Sequence, residues 1–163
     1  MTHHADPEHT LQWAAKTGRV AIGWGLIGDL STQTYNSPRD ISDAINKFYP
    51  HAGNAGSGGV CLYDFCSRMQ SGDLVILSTK QGRKSVMEVE GAYEFKPTPE
   101  EPPIGDYQHQ RKASILPIDP NLLWRCAGSA PKIGHSIRWT LIECLKPIDA
   151  ATKASLVGRG NEK

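Results

Sequence analysis

Several groupings of side chains in the sequence are of types that could do chemistry. Asp73 followed by Glu88-Val89-Glu90 offers the acids with which a metal-dependent nuclease of the restriction type binds its cation. That chemistry also needs an acid-x-Lys on the second strand, and the residue after Glu90 is Gly91. Glu143-Cys144-Leu145-Lys146 holds an acid and a lysine at the wrong spacing, so both stretches read as solvated strand faces. Cys61 or Cys66 with His51 or His109 would supply a thiol–imidazole nucleophile, but no spacing along the chain brings any such pair together. The cysteines Cys61, Cys66, Cys126 and Cys144 show one C-x4-C spacing without a second close pair. They read as free thiols of a reducing compartment rather than as a zinc site. His3, His4 and His9 lie in a polar leader and read as a loose terminus. No glycine run ends in Gly-Lys-Ser/Thr, and no Gly-x-Ser-x-Gly elbow occurs. The expectation is a chain that is not an enzyme, with no catalytic residue, no metal and no cofactor.

What remains is suited to binding. Of the tryptophans Trp13, Trp24, Trp124 and Trp139, Trp24 stands between Gly23 and Gly25 at the end of an apolar stretch. Glycine neighbours leave room for a ligand to approach the backbone. Indole gives a flat surface on which a base gains about 1–3 kcal/mol. The same residue reads equally well as a cap on the core. Cations gather at Lys80, Arg83 and Lys84 of a hairpin, at Arg111 and Lys112 of a strand, and later at Lys132 and Arg138. They read either as phosphate contacts or as solubilising charge.

The elements that must position these groups follow from periodicity and turn signals. Arg19–Trp24 is a buried strand. Ser37 caps a helix that begins at Pro38, runs with Ile41, Ile45 and Phe48 on one face, and ends at Pro50. Asn54–Gly59 reads as a flexible loop and Val60–Gln70 as a second helix. Asp73–Thr79 is a strand, Lys80–Arg83 a hairpin turn, and Ser85–Phe95 a long strand with a bulge at Gly91. Lys96–Asp106 is a loop and Tyr107–Ile118 a strand. Leu122–Cys126 makes a helical turn, Ala127–Gly134 a loop, and Ile137–Leu145 a last strand or a short strand-helix. The expected organisation is a leader over 1–10, one domain over 11–147, and a polar tail over 148–163.

Composition agrees with one globular domain. The 163 residues are 39% hydrophobic and 21% charged, with a net charge of +1. That balance excludes a nucleic-acid binder driven by bulk charge, so any such site must be local. No run of about 18 apolar residues occurs, and the start MTHHADPEHT has no apolar core. The expectation is a cytoplasmic chain that does not interact with membrane.

The order of Gly18–Ser31, Gly72–Leu77, Glu90–Phe95 and His109–Ile115 resembles the PUA-like superfamily, in its EVE and YTH-like branch. The resemblance covers most of residues 11–145. It implies an α+β fold, a small, partly closed β-barrel of about five to six strands with helices packed outside. It also implies a non-enzymatic reader that holds a flipped, methylated base of DNA or RNA in an aromatic cage. On this resemblance Trp24 matches the cage tryptophan, and Gly25, Leu26 and Ile27 supply backbone contacts. Asp29 and Ser31 bond the base edge, and Tyr93, Tyr107 and Trp124 are candidates for the opposite wall. Lys80, Arg83, Lys84, Arg111 and Lys112 would hold phosphates, and a nuclease or NTPase would act as effector partner. The alternatives are a small nuclease or hydrolase, an RNA-binding module, or a protein-interaction module.

Overall fold

The computed structural model describes residues 7–32, 35–96, 107–135 and 141–160. Strands form where β-branched and apolar residues alternate. They are β1 (Arg19–Ile22), β2 (Leu74–Thr79), β3 (Gly82–Phe95) and β4 (His109–Leu116). All neighbouring strands are antiparallel, in the order β1-β4-β3-β2. The chain is thus of mixed α+β class. Among the described residues the sheet has four strands, with β1 and β2 as unjoined edges, rather than the five to six expected. Part of the expected last strand, at 136–140, lies outside the described residues, as do Arg138 and Trp139. Of its remainder, Cys144 makes only an isolated bridge to Pro131.

Among the described residues five α-helices pack on the sheet: α1 (Pro7–Thr17), α2 (Pro38–Phe48), α3 (Ala55–Tyr63), α4 (Pro120–Cys126) and α5 (Ala150–Gly160). Alternation on β2 divides the two faces. Val75 and Leu77 join a core with Trp13 of α1, Ile41 and Ile45 of α2, and Leu62 of α3. Leu74 and Ile76 face the other way, toward Val86, Ile118, Leu123 of α4 and Leu156 of α5. The expected leader therefore already holds the first turn of α1, and the expected polar tail holds a helix anchored by Leu156. Among the described residues no helix is long and apolar enough to cross a membrane.

The capping residues act as their types dictate. Ser37 Oγ accepts from the Asp40 backbone N–H at 3.3 Å, with Pro38 opening α2. Ser37→Ala is expected to cost about 1 kcal/mol, read as a fall in the urea midpoint at constant slope; an unchanged midpoint would show the cap to be idle. Ile41 and Ile45 are buried as expected, but Phe48 is exposed because α2 ends as it leaves the core.

The stretch Asn54–Gly59 is not a loop, for α3 begins at Ala55. Gly58 and Gly59 are packing residues. A Cβ on Gly58 would stand 2.9 Å from both Ile45 Cδ1 and Trp24 Cζ2, and one on Gly59 would collide with Ser42 Oγ and the Pro38 carbonyl of α2. Past Tyr63 the helix widens into a π-type turn over Asp64–Arg68. The hairpin of β2 and β3 turns at Lys80–Gln81, and the β3–β4 register shifts between Val89 and Tyr93, the interval that contains Gly91.

A tyrosine-lined candidate pocket

The segment after β1 turns sharply. Trp24 takes φ 65° and ψ 35°, left-handed values that cost a bulky residue about 1–2 kcal/mol. A 3-10 turn over Gly25–Ile27 follows. Asp29 Oδ1 then accepts from both the backbone N–H and the hydroxyl of Ser31, at 2.9 and 2.8 Å, closing a tight polar turn.

Polar contacts hold this segment to the sheet. The Trp24 carbonyl lies 3.2 Å from Nε2 of His109, and the Tyr93 hydroxyl lies 2.8 Å from Nδ1 of the same ring. A carbonyl only accepts, so Nε2 carries a proton, and in the neutral ring Nδ1 accepts the Tyr93 O–H. The Tyr93 oxygen in turn accepts the Leu30 N–H at 3.2 Å. His109, fully buried on β4, thereby ties both ends of the turn to β3 and β4.

Beneath the turn lies a pocket of 370 Å³. Tyr35, Tyr63 and Tyr93 give it three aromatic walls, Ile41 an apolar one, and Cys66 and Arg111 its deeper polar lining. Burial pushes both the Cys66 thiol and the Tyr93 phenol well above their ordinary pKa values. Each therefore stays protonated near neutrality, which makes Cys66 a poor nucleophile and Tyr93 a poor base. Arg111 donates to three backbone carbonyls: Nε to Phe65 at 2.8 Å, Nη2 to Cys66 at 3.0 Å and Nη1 to Gly91 at 3.1 Å. It joins the π-type turn to the bulge of β3, the two sides of the pocket. Among the described residues, no three His, Cys, Asp or Glu side chains gather as metal ligands would.

The expected site residues are divided by this geometry. Ser31 and Tyr93 line the pocket, and Asp29 shapes the turn beside it. Trp24, Gly25, Leu26 and Ile27 do not line it. The Trp24 ring packs on α3 at Gly58, Gly25 and Ile27 are buried, and Leu26 is 61% exposed. Tyr107 is buried in the core and is no pocket wall. Trp124 sits on α4, where the Arg83 guanidinium stacks on it at 4.4 Å.

Arg111 corrects the expectation of a phosphate contact, because it is only 4% exposed and bonded to the backbone. Lys112 is exposed beside it. Lys80, Arg83 and Lys84 are remote: Arg83 and Tyr93 stand ten residues apart on β3, about 33 Å at the usual rise. Arg83 also bonds Asn121 Oδ1 at 3.2 Å, and Lys84 pairs with Glu8 at 3.7 Å. Tyr35, Ile41, Tyr63 and Cys66 were not singled out from the sequence as pocket residues. Tyr35 and Tyr63 lie 28 residues apart in the chain, with no shared spacing to mark them. The consecutive polar residues His109-Gln110-Arg111 in an otherwise strand-like stretch were the available signal.

Residues 2–120 of the chain match DUF8426, a domain of unknown function. The chain belongs to the DUF8426 family. That span contains α1–α3, the whole sheet and every pocket-lining residue, and it ends where α4 starts. No curated protein and no solved structure matches the chain.

Proposed function

We propose that this domain is a nucleic-acid-binding module of the PUA-like kind that takes a modified base, flipped out of DNA or RNA, into the tyrosine-lined pocket. One observation carries the reading: Tyr35, Tyr63 and Tyr93 converge on a single recess of 370 Å³ under the turn that follows β1. Binding pockets run from about 300 to 1,000 Å³, so this one is scaled to a single ring system. Aromatic walls favour a planar guest, since each stacked base gains about 1–3 kcal/mol. Helices inserted between β1 and β2 of an antiparallel sheet support the PUA-like reading, with the partly closed barrel as its finer form. Protonated Cys66 and Tyr93 favour binding over covalent catalysis. Trp24 serves in this reading as the residue that shapes the roof, through its carbonyl and its packing on Gly58. A nuclease or NTPase partner would supply the effector step.

The test is a fluorescence-anisotropy screen of oligonucleotides carrying methylated and hydroxymethylated bases, in both sugars, beside unmodified controls. At least one modified strand is expected to bind more tightly than its control. Tyr63→Ala is expected to reduce that preference by about tenfold or more, with an unchanged circular-dichroism spectrum. A screen in which no oligonucleotide binds would remove the reading.

A further inference from the structure

Among the described residues, Arg111 has no carboxylate within ion-pair range, and the ion pairs within 4.0 Å join other groups. Asp73 acts on the guanidinium only from beyond that range. Of its five N–H bonds, three are given to the Phe65, Cys66 and Gly91 carbonyls, which leaves two. The side chain nevertheless lines the pocket and is 4% exposed. A cation held in this way remains short of compensating negative charge, and burial lowers its pKa accordingly. The Asp29 carboxylate acts on Cys66 and Tyr93 from the turn but not on the guanidinium, and the pocket's inner polar groups do not supply that charge. The Cys66 thiol stays neutral, and the Tyr93 hydroxyl already donates toward His109 while accepting from Leu30. An incoming ring that brings a carbonyl oxygen would meet donors already in place and oppose the buried charge. A ring that brings an amino group would set N–H against N–H.

We infer that the pocket reads a carbonyl edge: the ring it takes presents a keto oxygen toward Arg111, so its ligand class is a keto base of the guanine or uracil type rather than an amino-edged base of the adenine type. This rests on the base-binding reading above and specifies its chemistry.

Two matched pairs of probes test it with the wild-type chain, each supplied both as the free nucleoside and within a short oligonucleotide. One pair is inosine and purine riboside, which lacks the 6-oxygen. The other is uridine and its analogue lacking the 4-oxygen. In whichever pair binds, titration calorimetry is expected to show the keto member at least about tenfold tighter, the effect of one well-placed guanidinium contact. Binding in the oligonucleotide arm alone would place the keto base in a strand, and binding in both arms would make the nucleoside sufficient; either result with the tenfold preference supports the inference. Equal affinity within a pair overturns it while leaving base binding intact; no binding in any arm overturns it as well, while the modified-base reading stands or falls by the oligonucleotide screen above. Arg111→Lys keeps the charge but loses the planar fork. If its thermal melt shows it folded, it is expected to lose the keto preference, and a retained preference would overturn the assignment to Arg111.

Discussion

Gly59→Ala is expected to lower the unfolding free energy by about 3 kcal/mol or more, the upper range for overpacking a close contact. The cause is the crossing of α2 on α3. An added Cβ would collide with the Pro38 carbonyl and Ser42 Oγ, and would stand 2.9 Å from the Ser42 nitrogen. Two of those atoms belong to helix backbone, so no rotamer change relieves the clash and the helices must separate. Ser42 Oγ also bonds the Pro38 carbonyl at 2.9 Å, a contact that the shift would disturb. Because Ile41 of α2 and Tyr63 of α3 both line the pocket, its shape should suffer with stability. Gly56→Ala is the control, since nothing lies within 4 Å of a Cβ there. Chemical denaturation of the two variants checks this, and equal midpoints would refute the close-crossing account.

Arg111→Met is expected to destabilise by about 3 kcal/mol, with its structural effect concentrated around the pocket. The variant removes charged donors from the Phe65, Cys66 and Gly91 carbonyls. Hydrogen bonds to charged groups contribute about 1.5–3 kcal/mol each, and relief from burying a cation offsets part of the loss. The local sign is the Cys66 thiol. In the native chain it is partly buried within the π-type turn that Arg111 fastens. Loosening that turn should speed labelling of Cys66, read by peptide mass spectrometry, while exposed Cys126 labels at its former rate. An unchanged melting temperature together with unchanged Cys66 labelling would show that Arg111 does not hold the turn.

Features decided by near neighbours were legible in the sequence. Ser37-Pro38 marked the start of α2, Lys80–Gln81 the hairpin, and Gly91 the irregular stretch of β3, because caps, turns and bulges depend on residues a few positions apart. Composition marked Asn54–Gly59 as a loop, and packing overrode it. Gly58 and Gly59 of α3 are there because α2 and the Trp24 ring pass too close for side chains, which cannot be seen in a local window. The stretch from Ala150 looked like a tail because only Leu156 anchors its helix to the core as a buried residue.

The same division runs through the candidate site. In the sequence, the glycines on both sides of Trp24 signalled close backbone approach after β1, and the family resemblance named Ser31 and Tyr93 among the ligand contacts. Only the tertiary structure decided that the Trp24 ring turns onto Gly58 instead of into a pocket, and that Tyr35 and Tyr63 supply walls in its place. It also decided that Arg111 is a buried donor and not a surface phosphate clamp. Side-chain type and local spacing say what a residue can bond. Strand register and helix crossing, set by contacts between residues far apart in the chain, decide which face it occupies and what it meets there.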